Sequence, residues 1–333
     1  MGLTATTAAS PRPRAARFGL LLLGLAVLAA VFWKAGWSDV SANLERVGWW
    51  FPVVLILWTL PMAASVEGWR QVVSPRPALR LIPDLFAAFL AGETANFVGA
   101  GVAGEPLRAL LVREHLGSAE AFASAALRKH AELAAQVLFL VLGTTASLLL
   151  FPIPAVLAVA TALGVAAMGA GLLLMTWALR RGSLAPLIGR LAGWKFLASR
   201  LERFREPAVD VDLRIRLFYG ASPGRFAASA GWAFLAWSFG VFETWFLLRL
   251  LGTGAGWAEA LAIECLTMTL NTMLLIIPGR LGSAEAIRTV VLVALGLTAP
   301  VGAAYALLRR GREIVWMLPG AVTLLRRHAL SLL

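Results

Sequence analysis

The sequence predicts an all-α polytopic membrane protein with about six transmembrane helices and two re-entrant broken helices in inverted repeats. Three observations predict it. Apolar residues make up 59% of the 333 positions and charged ones only 14%, against roughly 45–50% and about 25% in soluble domains. The apolar surplus is gathered into runs long enough to cross a bilayer. The Lys and Arg residues behind the formal net charge of +12 lie mainly between those runs, as the positive-inside rule requires.

That placement also argues against nucleic acid, which would call for a basic stripe on a folded surface. Cys265 is the single cysteine, so neither an intrachain disulfide nor a thiolate metal cluster can form, and no cofactor or metal is expected.

Residues 1–17 form a basic tail, 18–325 one membrane domain and 326–333 a second tail. The first span, 18–33, ends in Phe32, Trp33 and Lys34 rather than a small-x-small cleavage site, so it reads as retained. The second, 49–67, carries Trp49, Trp50 and Trp69 as interfacial anchors. The apolar stretch 85–103 is interrupted by Gly99, Gly101 and Gly104 just before Glu105. It reads as a re-entrant helix with a short returning partner, because glycines let the backbone turn at depth where protein or water surrounds it.

Residues 119–150 form a span stopped by Phe151-Pro152-Ile153-Pro154, and 155–179 the next, with Gly164, Gly169 and Gly171 read as close-packing positions. Nine Lys and Arg residues from Arg180 to Arg216 mark the segment 180–225 as a basic cytoplasmic loop with an amphipathic surface helix near 187–204. Residues 226–251 form a span, 258–277 an apolar stretch broken at Pro278-Gly279, and 303–325 the last span. With both tails and the basic loop cytoplasmic, in a bacterial inner membrane, every turn obeys the charge rule.

The chain also resembles itself. Asn96, Gly104, Glu105-x-x-Arg108, Gly117 and Arg128-x-x-x-Glu132 recur in order as Asn271, Gly282, Glu285-x-x-Arg288, Gly296 and Arg309-x-x-x-Glu313. Repeat one covers 84–150 and repeat two 258–325. Counting spans between them puts the copies in opposite orientations, with broken helices meeting near the midplane as in many transporters.

Arg128, Lys129, His130 and Glu132 lie well inside one span, and Arg309, Arg310, Arg312 and Glu313 inside another. A central Arg costs roughly 2.5–3.5 kcal/mol on insertion scales, so these helices need partners or a wet cavity. The four-residue spacing lets Arg128 pair with Glu132 and Arg309 with Glu313. Each span keeps more cations than anions, and that excess can meet an anionic headgroup. Glu93, Glu243 and Glu264 are further intramembrane carboxylates that either neutralise the excess or carry protons. A purely structural ion-pair network is the other reading of the same charges.

The run Asn96-Phe97-Val98 leading to Gly104-Glu105-Pro106-Leu107-Arg108, together with Pro278-Gly279-Arg280-Leu281-Gly282-Ser283-Ala284-Glu285, resembles the membrane domain of lysylphosphatidylglycerol synthetases and their flippase-like relatives, over about residues 18 to 325. Glu243, Ile263-Glu264, Pro278-Gly279 and Arg309-Arg310-Gly311-Arg312-Glu313 through Leu318-Pro319-Gly320 look most like the hopanoid-biosynthesis-associated branch. The resemblance implies a lipid-handling membrane protein, a flippase for aminoacylated phospholipid in the better understood members. Gly99, Ala100 and Gly101 stand where relatives tend to carry a proline. The chain stops soon after the last span, so a soluble aminoacyltransferase domain and lysyl transfer are not expected.

The expected function is transport or presentation of a membrane lipid, a hopanoid or an anionic phospholipid, without a catalytic residue. Arg128, Arg309 and Arg312 would bind the headgroup, and the half-helix ends near Gly104 and Gly282 would add backbone N–H groups. Two other classes compete. One is a non-catalytic partner of lipid-biosynthesis enzymes that docks them on the basic loop. The other is an intramembrane lipid pyrophosphate phosphatase, for which the turns offer Ser283 and Glu285 near Arg280 and Arg288 but no Ser-Arg-Ser-like cluster.

Overall fold

The computed structural model describes residues 26, 29–30, 33–98, 103–192, 205–273 and 282–326, and among them every regular element is helical. Most of the first expected span, 18–33, lies outside the described residues. The chain then enters α1 (Trp37–Val47), which buries Val40, Asn43 and Val47 and turns Asp39, Glu45 and Arg46 outward. A 3₁₀ turn (Gly48–Trp50) leads to α2 (Phe51–Leu57) and α3 (Thr59–Val72). The break at Trp58 has a local cause: Pro61 has no N–H for the Leu57 carbonyl and its ring crowds that turn. The Trp316 indole N–H donates to the nearby Leu55 carbonyl at 3.1 Å.

Trp69 is a correction. Expected at the interface, it is fully buried, and its indole N–H donates to Ser124 Oγ at 3.2 Å. Trp49 and Trp50 are exposed, as interfacial anchors should be.

Helices α4 (Ile82–Val98) and α5 (Gly104–Leu116) pack against each other on either side of the glycine-rich break. Asn96 Oδ1 accepts the Gly104 N–H at 2.7 Å, and a Cβ on Gly104 would run into the Gly92 carbonyl. Only glycine fits there. Gly117, at φ 78°, turns the chain into α6 (Ser118–Leu150), which runs 33 residues before the Pro152 and Pro154 stop. Then follow α7 (Ala155–Arg181), α8 (Leu184–Ala192), α9 (Arg205–Ala221), α10 (Pro223–Leu250), α11 (Trp257–Met273), α12 (Ser283–Ala294) and α13 (Ala299–Arg326).

Five described segments are long and apolar enough to cross a membrane: Trp37–Val72, Leu79–Val98, Ser118–Leu150, Ala155–Arg181 and Pro223–Leu250. The chain is a multi-pass membrane protein. Two differences from expectation have physical reasons. The first half of the first broken helix is by itself long enough to span, whereas α13, with 28 residues, has the length but carries Arg309, Arg310, Arg312 and Glu313. Those charges are tolerable because protein, not lipid, surrounds them. The outer face of α7 exposes Val156, Val159, Leu163, Leu173 and Leu174, the surface a bilayer solvates.

The described parts of the segment 180–225 are helical where a loop was expected. Helix α9 sinks Val211, Ile215 and Phe218 into the core and packs on α6, α7 and α8. The expected surface helix begins earlier, at Leu184, and residues 193–204 lie outside the described ones. Gly169 and Gly171 face open space rather than a neighbouring helix.

Buried apolar residues form two clusters, and α6 runs through both. Ala121 to Leu127 belong to the first and Phe139 and Leu140 to the second. On α13, Tyr305 and Leu308 belong to the second, while Trp316 and Leu324 pack on the first. The charged residues of both helices therefore lie between two apolar layers.

Candidate functional site

Arg128 stands ten residues past Ser118, the start of α6, and Arg309 ten past Ala299, the start of α13. At 1.5 Å per residue both lie about 15 Å along their helices. Around each, carboxylates gather from neighbouring helices.

In the first cluster Arg128 Nη2 bridges both oxygens of Glu105 at 2.7 and 2.8 Å, and its Nη1 reaches Glu132 at 2.8 Å. Arg108 is bonded to both Glu105 and Glu93, and Lys129 Nζ lies 3.1 Å from Glu132. The Phe89 ring lies beneath both guanidinium groups, at 5.0 Å from Arg108 and 5.8 Å from Arg128.

In the second cluster Arg309 meets Glu243 at 3.0 Å and Glu264 at 2.9 Å. Thr244 Oγ1 links Glu264 and the Tyr305 hydroxyl, each at 2.8 Å. Arg312 pairs with Glu243 and lies 3.4 Å over the Trp58 ring, the residue at the α2–α3 break. Arg288 reaches Glu313 at 2.7 Å, and Arg310 bonds Glu285 and, at 3.0 Å, Glu313.

Two expectations are corrected here. Arg128 and Glu132 do pair along their helix, but Arg309 and Glu313 do not. Carboxylates from α10 and α11 reach Arg309 first, and Glu313 turns toward Arg288 on α12. The expected cationic excess is also gone. Arg108, Arg128 and Lys129 face Glu93, Glu105 and Glu132, three against three. Arg288, Arg309, Arg310 and Arg312 face Glu243, Glu264, Glu285 and Glu313, four against four. Counting charges on single spans missed the partners that tertiary packing brings from other helices.

The clusters differ in closure. In the second cluster Arg309, Arg312, Glu243 and Glu264 have side chains 8% exposed or less, and the most exposed member, Glu313, reaches 24%. In the first cluster the Glu93 side chain is 51% exposed and that of Lys129 41%. Both residues reach the surface of the fold.

The repeats match more closely than their charged motifs indicated. Thr94 and Thr269 each stand two residues before the paired asparagines Asn96 and Asn271 and donate to the carbonyl four residues back, at 3.0 and 2.8 Å. Helix α4 of one repeat packs on α13 of the other, and α11 on α6. Both crossings rest on a glycine: Gly320 lies against Leu90 and Thr94, and Gly143 against Cys265 and Leu261. Leu90 and Cys265 occupy the same register, six residues before their asparagines. On that register Phe89 of the open cluster corresponds to Glu264 of the sealed one.

Among the other candidates, Asn271 is buried with no partner for its Oδ1 among the described residues, and Gly282 adopts φ 75° ahead of α12. Pro278 and Gly279 lie outside the described residues. Sequence reasoning gave no role to Trp58, Thr244 or Tyr305. Tyr305 had a readable signal, since it is one of two tyrosines and precedes Arg309 by one helical turn. Trp58 had none, because nothing local ties it to a charge on α13.

No curated protein and no solved structure matches the chain. The model of one family, described as the lysylphosphatidylglycerol synthase TM region, matches residues 18–320.

Proposed function

The chain belongs to the lysylphosphatidylglycerol synthase TM region family, and from that premise we propose that it is a flippase-like carrier of a hopanoid or an anionic phospholipid across the bacterial inner membrane. The observation that carries this reading is the half-open charged layer between two apolar cores. A network serving only to lock helices has no reason to expose a carboxylate and an ammonium at the surface of the fold.

Because the open cluster is charge-balanced, an anionic headgroup enters by exchange rather than by filling a vacancy. Its phosphate takes the place of Glu93 on Arg108, or of Glu132 on Lys129, and the displaced carboxylate turns to water or takes a proton. Arg128 stays held by Glu105 through the exchange. On this reading Arg309 and Arg312, which sequence made headgroup ligands, form the fixed half of the molecule. The antiparallel run of α4 against α13, with Phe97 near Arg310 and Leu90 near Gly320, supports repeats of opposite direction.

The test is lipid translocation in proteoliposomes, followed by quenching of a headgroup-labelled phospholipid. Glu93→Gln and Lys129→Gln are expected to slow transfer about tenfold or more, one tenfold step being about 1.4 kcal/mol, while changing stability by about 1 kcal/mol or less. Rates equal to the parent's in both variants would overturn the headgroup role of the open cluster.

The sealed cluster favours a second reading, a non-transporting partner of lipid-biosynthesis enzymes in which both clusters lock the bundle. Absence of translocation in the parent protein, with co-purifying lipid enzymes, would select it. A pyrophosphate phosphatase fits less well: Glu285 is engaged by Arg310 and Arg288 by Glu313, so neither is available as base or clamp.

A further inference from the structure

Helices α8 and α9 form a layer beside the bundle that the carrier reading does not use. Between them lies a cleft of about 600 Å³ lined by Gly182, Pro186, Gly189, Arg190, Asp212 and Arg216. That volume is in the range of small-molecule sites, roughly 300–1,000 Å³. Arg216 lies beside Gly182, its Nε 3.4 Å from where a Cβ would stand.

The charges of the cleft do not cancel. Asp212 is 3% exposed, and its two oxygens accept the N–H groups of Leu184 at 3.3 Å and Ala185 at 3.0 Å. It caps α8 and is turned to that helix end. Arg190 and Arg216 are exposed and have no carboxylate within ion-pair distance among the described residues. The lining therefore holds two cations against one engaged anion.

The surroundings indicate the kind of anion. Leu187 on α8 and Val209, Leu213 and Leu217 on α9 are exposed, by 52%, 52%, 46% and 61%. Val211, Ile215 and Phe218 anchor the other side of α9 in the bundle. Apolar side chains left outward beside arginines are the pattern of an element seated at the headgroup level of a bilayer, with the aliphatic part in the acyl region and guanidinium groups among phosphates. Arg180 and Arg181, at the end of α7, extend the positive field, with Arg181 over the Trp177 ring at 5.1 Å. A protein phosphate site would not leave such apolar residues open around it.

We propose that the α8–α9 cleft binds the phosphate of an anionic phospholipid of the cytoplasmic leaflet, at a site separate from the charged layer. The lipid is held there as a resident of the interface and fixes α9 against α6 and α7.

The experiment reconstitutes the full chain in phosphatidylcholine vesicles containing a photoactivatable phosphatidylglycerol or, separately, a photoactivatable phosphatidylcholine, and maps the cross-linked peptides. Adducts of the phosphatidylglycerol probe are expected on α8 and the first half of α9. Two arginines near a membrane surface correspond to a loss of roughly ten- to thirtyfold in labelling in an Arg190→Gln/Arg216→Gln double variant. Arg326→Gln, at the far end of α13, is expected to change nothing. The charge-retaining Arg190→Lys/Arg216→Lys variant should keep labelling and guards against misfolding. Equal labelling by both probes, labelling unaffected by the Gln pair, or labelling lost equally in the Gln and Lys pairs would each overturn the proposal. Lipid translocation measured on the same variants distinguishes this site from the carrier site, whose variants leave this labelling unchanged.

Discussion

Burial decides what each charged side chain is worth. Glu243 is the close carboxylate of Arg312 and shares Arg309, and both its side chain and that of Arg312 are 2% exposed. Removing one partner of such a pair strands a charge, at a cost of about 3–5 kcal/mol. Glu243→Ala is therefore expected to lower the unfolding temperature of the detergent-purified protein sharply. Glu93→Gln, at a half-exposed position, is expected to change stability by about 1 kcal/mol or less. Equal effects in thermal unfolding would contradict the division into a sealed and an open cluster. The identities of these residues were legible in the sequence, since ionisable side chains inside apolar spans stand out. Their partners were not, because Glu243 and Glu264 meet Arg309 across 66 and 45 residues of chain. A buried helper of a different kind holds α9: His130 lies between the Tyr219 hydroxyl and Thr176 Oγ1, the latter at 2.8 Å. Thr176 Oγ1 donates its proton to the Leu172 carbonyl, so His130 donates from Nε2 to Thr176 and accepts the Tyr219 O–H at Nδ1.

Helix crossings in a membrane depend on small residues, because lipid supplies no hydrophobic drive between helices. A Cβ on Gly143 would overlap Cys265 Sγ, whereas one on Gly320 would overlap the Leu90 backbone carbonyl. Gly143→Ala is thus expected to cost about 1–3 kcal/mol, most of it restored by Cys265→Ala. Gly320→Ala has no such rescue, since no side-chain change moves a carbonyl. Thermal unfolding of the single and double variants checks both, and failure of Cys265→Ala to help would remove the crossing as the cause. The element boundaries were readable where Pro and Gly punctuate them, as at Pro152, Pro154 and Gly117. They were not where packing extends a helix past its apolar run. Helix α9 illustrates this: its arginines gave it the composition of a loop, and only its seat on α6 and α7 makes Ile215 and Phe218 core residues.

Across the whole molecule, the proposed opposite direction of the two repeats predicts sidedness. In a Cys265→Ala background, a cysteine at Ser183, between α7 and α8, is expected to react with an impermeant maleimide only after lysis of spheroplasts. One at Gly254, between α10 and α11, is expected to react from outside. Labelling of both from the same side would rule out the proposed topology.

The sequence by itself determined that the chain lives in a bilayer, that it is helical, and that a motif of Asn, Gly, Glu and Arg occurs twice. Those properties follow from local quantities: apolar run length, glycine and proline placement, and the cost of a charge in lipid. Which carboxylate serves which arginine was decided only by tertiary structure, as was the neutrality of both clusters and the closure of one beside the opening of the other. The physical reason is that ion pairing at depth is a through-space property. It depends on which helices lie within 3–4 Å of one another, and helix spacing is set by glycine crossings that no charge count along the chain reveals.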